Sequence, residues 1–303
     1  MADLLKMYEA YHKHLDYIRE LKISVREDDY ICPICLCGYS MSEMDQLSLE
    51  DAPQAALGGR KVAITCKKCN NTCGNTIDCH FVNYIDTIER KNLLPGSNQK
   101  IRIINLGEGK PIEAALRVDE EKEMYLSISK DYYNSLIFNE RLNKLIKDRE
   151  IIVQEKNKEI DFNLVSAAII KNAYIILFSK FGYSFILDDY YDKLRNQIQV
   201  SNSNTSQAGL WTILPSLPIS DGIYRSYDSR YRGFFVAYTV SRILSYRIIV
   251  YIPTPLVNFD IATTVIRDVS NLGGLCLIRF DESNLLYDKN KISSLRNWVY
   301  TNN

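Results

Sequence analysis

The chain has 303 residues, with 37 Lys plus Arg against 37 Asp plus Glu and a formal net charge of zero. That balance excludes the strongly basic whole-chain signature of many nucleic-acid-binding proteins and leaves a local basic patch as the only electrostatic route to such a partner. With 46% hydrophobic residues and no uninterrupted apolar run near the roughly twenty needed for a membrane span, two globular domains and no membrane partner are expected.

Residues 2–23 carry Leu4, Leu5, Tyr8, Tyr11, Leu15, Ile18 and Leu21 at three- and four-residue steps, which predicts one amphipathic helix. His12 and His14 lie two apart on it, hence on different faces, and read as surface residues. The opening residues lack a basic segment, an apolar run and a small-residue cleavage site, so a cytoplasmic, reducing location is expected.

Next come two Cys-x2-Cys pairs, Cys32-Pro-Ile-Cys35 and Cys66-Lys-Lys-Cys69, with thirty residues between them. Four thiolates are the number and type of ligand that a closed tetrahedral zinc site takes, and the bound ion would supply folding free energy to a segment too small for its own core. The plainer alternative is four ordinary buried thiols. Cys37, Cys73, Cys79 and His80 are close enough in sequence to compete as ligands, while Cys276 reads as a core thiol.

Between the pairs, Gln46–Glu50 and Lys61–Thr65 read as strands, separated by Pro53 and Gly58-Gly59. From Asn75 to Arg90 the spacing of Ile77, Phe81, Ile85 and Ile88 is helical. Pro95 and Gly96 mark a boundary, giving segments 1–30, 31–93 and 94–303. Beyond it, strands are predicted at Ile101–Leu106, Glu113–Val118 and Met124–Ile128, a helix at Asn134–Asp148, and extended pieces at Ile151–Val153 and Ile160–Phe162. Leu164–Phe181 is an almost all-round apolar helix, the expected buried centre of the second domain. A helix follows at Asp188–Ile198, then a polar loop at Ser201–Ser206. Strands are expected at Phe234–Tyr238, Arg247–Ile252 and Gly274–Phe280. The fold class expected is α+β, a small metal-braced module followed by a larger mixed α/β domain.

Two oxygen-bearing side chains stand out beside the cysteines. Glu50 ends one predicted strand and Asn70 follows the last cysteine of the second pair, an oxygen-rich combination suited to Mg2+ or Mn2+. Arg60, Lys61, Lys67 and Lys68 surround them with positive charge that attracts a phosphate backbone. Farther on, Tyr224-Arg-Ser-Tyr-Asp-Ser-Arg-Tyr-Arg232 offers tyrosines to stack on bases and Arg225, Arg230 and Arg232 to contact phosphates; a Tyr-rich edge strand or loop is the plainer reading.

The order Cys-x2-Cys, Glu50 at a strand end, Pro53, Gly58-Gly59, then Cys66-x2-Cys69-Asn70-Asn71 resembles the zinc-braced HNH endonucleases of the treble-clef, ββα-metal class, over about residues 31–86. The resemblance implies a structural Zn2+ on Cys32, Cys35, Cys66 and Cys69, and a labile Mg2+ or Mn2+ on Glu50 and Asn70. It also implies metal-dependent hydrolysis of DNA phosphodiesters, in settings such as phage defence or a mobile element. Where the family has its general-base histidine, this chain has Asp51; a carboxylate near pKa 4 is a poorer proton acceptor than an imidazole near 6.5. His80 is the substitute nearest in sequence. Loss of the base would leave a zinc-braced nucleic-acid-binding protein, and loss of both roles a purely structural cap.

Overall fold

The computed structural model describes residues 2–23, 26–104, 111–128, 139, 140, 143, 147, 152–155, 160–199, 210–214, 219–226, 228–258, 265, 276–280 and 285–301. In chain order the first elements are α1 (Ala2–Glu20), β1 (Tyr30–Ile31), β2 (Gly38–Tyr39), β3 (Leu47–Asp51) and β4 (Lys61–Cys66). Then come α2 (Lys67–Cys73), a π-helical turn (Gly74–Asp78) and α3 (Cys79–Lys91). Strands β5 (Asn98–Ile103), β6 (Ile112–Val118), β7 (Met124–Ile128) and β8 (Val153–Glu155) follow. The remaining elements are α4 (Phe162–Phe181), α5 (Asp192–Gln199), β9 (Trp211–Leu214), β10 (Gly222–Ser226), β11 (Gly233–Ser241), β12 (Ser245–Pro253), β13 (Leu277–Arg279) and α6 (Lys289–Tyr300).

The chain divides into two compact units, one made of Met1–Val82 with Asp161–Asn303 and the other of Asn83–Ile160. The cysteine-bearing segment and the C-terminal elements therefore share a unit, unlike the three-segment division read from the sequence. The reason is α4, which packs against β4 and the π turn on one side and against β11 and β12 on another.

The Asn83–Ile160 unit is a four-stranded antiparallel sheet in the order β7-β6-β5-β8. Along β5, residues alternate exposed and buried, and Ile101 and Ile103 meet Ile112 and Ala114 of β6 in its core. This is the period-two pattern that predicted both strands. The helix predicted at Asn134–Asp148 lies largely outside the described residues; 139, 140, 143 and 147 are helical. The predicted polar loop at Ser201–Ser206 lies outside them altogether.

The larger unit holds a five-stranded antiparallel sheet ordered β13-β10-β11-β12-β9. Its central strand, β11, is buried along nearly its whole length, as its run Phe234-Phe-Val-Ala-Tyr238 requires. Helix α4 lies against this sheet: Tyr238 donates to the Ile169 carbonyl and Trp211 Nε1 to Ser166 Oγ. By length and composition α4 could cross a membrane, but 72% of its most apolar window is buried inside the protein. It begins two residues earlier than its periodicity suggests. Asp161, still extended, caps it by accepting from the Asn163 and Leu164 amides, so Phe162 is its first residue and not the end of a strand.

Helix α1 turns Tyr8, Tyr11, His14, Leu15 and Ile18 inward. Tyr11 stacks on Phe178 at 4.6 Å and meets Tyr30 and Tyr183 edge-on, pairings worth about 0.5–1.5 kcal/mol each beyond area burial. Of the two histidines expected at the surface, His12 is half-buried and His14 is fully buried. His14 lies on the same face as Tyr11 and Ile18, and Nδ1 donates to the Leu286 carbonyl at 3.1 Å, which the sequence spacing of α1 alone does not reveal. Cys276, expected in the core, is exposed.

Burial lowers the His14 pKa to about 4, against a smaller upward pull from the Leu286 carbonyl. The folded state thus binds its proton less readily than the unfolded chain, whose histidine titrates near 6.5. Its stabilising contribution is complete above about pH 6.5 and is lost as pH falls toward 4, a change of about 3 kcal/mol. Urea unfolding from pH 7 to pH 4 should show wild type losing that much relative to His14→Asn, which keeps a donor for Leu286 without the titration. Parallel pH profiles for the two proteins would contradict this.

Candidate metal centre and the buried ion pairs behind it

The first cysteine pair sits in the tight turn between β1 and β2, whose two-residue ladder pairs Tyr30 with Tyr39 and Ile31 with Gly38. The Leu36 amide closes the turn on the Cys32 carbonyl at 2.9 Å, with Leu36 itself at φ +57°. The second pair straddles the junction of β4 and α2. Cys66 is the last residue of the strand and the N-cap of the helix, its sulfur accepting from the Cys69 amide at 3.4 Å. The Cys66 amide in turn points at Cys32 Sγ, also at 3.4 Å.

These turns bring all four sulfurs within 4.8 Å of one another, and Cys35 Sγ stands 3.8 Å from Cys66 Sγ. Four sulfurs placed tetrahedrally at about 2.3 Å from one ion are separated by about 3.8 Å. Sulfurs this close also oppose one another's ionisation. Hydrogen bonds from Cys32 and Cys35 hold the Cys66 thiol far below its usual range, while the bond shared with Cys32 drives Cys69 far above it. Four thiols this close ionise together only around a cation. The cluster can therefore coordinate a metal ion and is consistent with a zinc-binding module. Two rival sulfurs are placed elsewhere: Cys73 is buried and points at the Ile198 carbonyl, and Cys79 is exposed and donates to Asn75, while Cys37 is exposed beside Cys35.

Behind the cluster lies a set of buried charges. Glu50, near the end of β3, is 2% exposed, and Thr65 Oγ1 donates to its Oε2 at 2.8 Å. Its Oε1 is 2.7 Å from Nζ of Lys171, a fully buried lysine in the middle of α4. The same ammonium is 2.6 Å from Asp78 Oδ2 in the π turn. Gln54 Nε2 donates to the other Asp78 oxygen at 2.6 Å, and Asn172 Nδ2 donates to Gln54 Oε1 at 3.2 Å. Burial alone depresses a lysine pKa, but Asp78 and Glu50 reverse the effect and raise that of Lys171. A raised pKa on a base means that the stabilisation is present throughout the neutral range and is lost only at strongly alkaline pH.

The other sequence-predicted residues fall as follows. Asn70, half-buried, donates from Nδ2 to Ser48 Oγ and the Leu49 carbonyl, tying α2 to β3. Of the two residues expected to share a labile cation, Glu50 has both carboxylate oxygens engaged, whereas the hydrogen bonds of Asn70 use its amide nitrogen. Asp51 is half-buried beyond a register shift at the end of β3, opposite Lys61; His80 is half-buried on α3. Arg60, Lys61, Lys67 and Lys68 are exposed. The connection that delivers Arg60 is held by close approach, since a Cβ on Gly59 would lie 1.5 Å from the Pro53 carbonyl oxygen.

The Tyr224–Arg232 segment is not an open surface strip. Tyr224 is buried in β10, an interior strand of its sheet. Arg225 lies over the Phe280 and Trp298 rings, and Arg232 lies over Trp298 while donating to its carbonyl. Arg230 falls in the 3-10 turn Ser229–Tyr231.

Sequence reasoning missed Lys171 and Asp78. The available signal was a lysine within Ile169-Ile170-Lys171-Asn172-Ala173, where an all-round apolar helix demands a buried counter-charge.

The fold and site together define an α+β protein with a buried four-cysteine cluster able to coordinate a metal ion. No family model, curated protein or solved structure matches the chain.

Lys171→Met should cost about 3–5 kcal/mol in unfolding free energy, because it leaves two carboxylates buried without their cation. Adding Glu50→Gln and Asp78→Asn to it should recover much of that loss. Denaturant titrations of the single and triple variants test this, and a single variant as stable as wild type would contradict the ion-pair account.

Proposed function

We propose that this chain is a zinc-braced nucleic-acid-binding protein, built on an HNH-like treble-clef module in which the acidic position serves the fold. The observation that carries the reading is the placement of Arg60 and Lys61 at one end of β4 and of Lys67 and Lys68 just past the other, all exposed. Six residues of strand span roughly 20 Å, so the two basic pairs stand far enough apart to engage separate phosphates along a backbone. A structural Zn2+ on Cys32, Cys35, Cys66 and Cys69 would fix the second pair relative to the first, because Cys66 joins β4 to α2. The net charge of zero makes this patch the electrostatic footprint.

The commitment of Glu50 to Lys171 and Thr65 favours binding over hydrolysis, since neither carboxylate oxygen is left unengaged for a labile Mg2+ or Mn2+. A metal-dependent DNA endonuclease, serving phage defence or a mobile element, is the second reading. What favours it is Asp51, an acidic side chain beside Glu50 that is only half-buried. In that case Asp51, and not Glu50, would face the cation.

Three experiments test the proposal. Elemental analysis should find one Zn2+ per chain, and Cys66→Ser should yield metal-free protein that is insoluble or locally unfolded, because ion binding and folding of the module are coupled. For the partner, duplex and single-stranded oligonucleotides should bind with affinity that falls steeply with salt. Lys67→Ala with Lys68→Ala should reduce the log–log salt slope by roughly 2 on duplex DNA. Supercoiled plasmid incubated with Mg2+ or Mn2+ should remain intact. Cleavage that is abolished by Asp51→Ala would replace the binding reading with the endonuclease, and absence of any nucleic-acid binding would overturn both.

A further inference from the structure

A cleft of about 390 Å³ opens between α1, the β3–β4 hairpin and the Leu286–Tyr287 turn. Its size is within the range of small-ligand sites. Tyr11 and Leu49 supply an apolar floor, and the rim carries Lys6, Lys61 and Tyr287. Tyr287 is 52% exposed, a large aromatic surface with room beside it. It is nevertheless held from below: its neighbour Leu286 accepts the hydrogen bond from buried His14. Among the described residues neither Lys6 nor Lys61 has an ion-pair partner, although Asp3 also lines the cleft.

Two ammonium groups without an ion-pair partner among the described residues, beside an exposed tyrosine over an apolar floor, match a ligand with a flat aromatic body and an anionic group. We propose that this cleft binds one nucleotide, its base stacked on Tyr287 and its phosphate between Lys6 and Lys61. Asp3 adds a carboxylate able to accept from an exocyclic amine, which favours an amino-bearing base. The inference rests on the nucleic-acid reading for one point only, the source of the nucleotide. Lys61 belongs both to the cleft and to the basic surface of β4, so an unpaired nucleotide of a bound strand reaches the cleft without leaving that surface. A free mononucleotide presents the same chemistry.

The probes are AMP, adenosine and inorganic phosphate by calorimetry, and a single-stranded DNA carrying one 2-aminopurine by fluorescence, each with the full chain. AMP should bind more tightly than either adenosine or phosphate. Tyr287→Ala should weaken AMP by about tenfold or more, as loss of a stacking partner does, and Lys6→Ala with Lys61→Ala should weaken AMP while leaving adenosine nearly unchanged. Tyr287→Phe, which keeps the ring, should bind as wild type does and so separates stacking from a structural effect. If the strand is the source, 2-aminopurine should be quenched on binding and recover in Tyr287→Ala. AMP binding with no strand binding would keep the cleft, assign it to a free nucleotide and remove the platform reading. Salt-dependent strand binding with no AMP binding, and no effect of Tyr287→Ala on either probe, would overturn the cleft and leave the platform intact.

Discussion

A lysine ammonium buried between two carboxylates is the constraint around which the larger unit is arranged. Lys171 is fully inaccessible, so its charge is tolerated only because Glu50 and Asp78 approach it at 2.7 and 2.6 Å. Those partners come from β3 and from the π turn between α2 and α3, while the lysine comes from a helix more than ninety residues later. The π turn is where a helix acquires one extra residue per turn, and it delivers Asp78 to that ammonium. Such pairs add little net stability compared with an apolar core, but removing one member is costly, which gives the network its value in fixing a single arrangement.

The four-cysteine cluster and this network hold the same short segment from two sides. Cys66 fixes the end of β4 to the turn carrying Cys32 and Cys35. One strand over, Glu50 fixes β3 to α4. Further anchors run from the knuckle into the core: Tyr174 donates to the Pro33 carbonyl, Tyr183 to the Ile31 carbonyl, and Gln199 to the Ile34 carbonyl. The segment that carries the four cysteines is thus tied to α4 and α5. The basic side chains at the two ends of β4 are exposed on this anchored segment.

Elements whose apolar period is local were legible in the sequence. Helices α1 and α4 and strands β6, β7, β11 and β12 follow their patterns closely, because each buries one face or all of itself within its own length, while β5 begins three residues before its predicted start and meets the prediction only at 101–103. The four cysteines were legible for a chemical reason, since their spacing encodes two turns that converge on one point. Helix α2 was not, because its start is set by the sulfur of Cys66 accepting from Cys69 and not by an apolar stripe. Strand β9 and helix α6 were missed, and β10 was read only as a Tyr-rich edge strand or loop, because their residues gain meaning only from sheet neighbours and from the Phe234, Phe280 and Trp298 cluster. The Lys171 contact of Glu50 was illegible for the same reason: Lys171 lies 121 residues away and no local pattern connects the two.

The account turns on whether Glu50 belongs to Lys171 or to a second cation. Titration of the zinc-loaded protein with Mn2+, reading the free ion by electron paramagnetic resonance, addresses this directly. The account predicts no submillimolar Mn2+ site that depends on Glu50, so that wild type and Glu50→Gln give the same curve. One tightly held Mn2+ per chain that disappears in Glu50→Gln and in Asn70→Ala would contradict it.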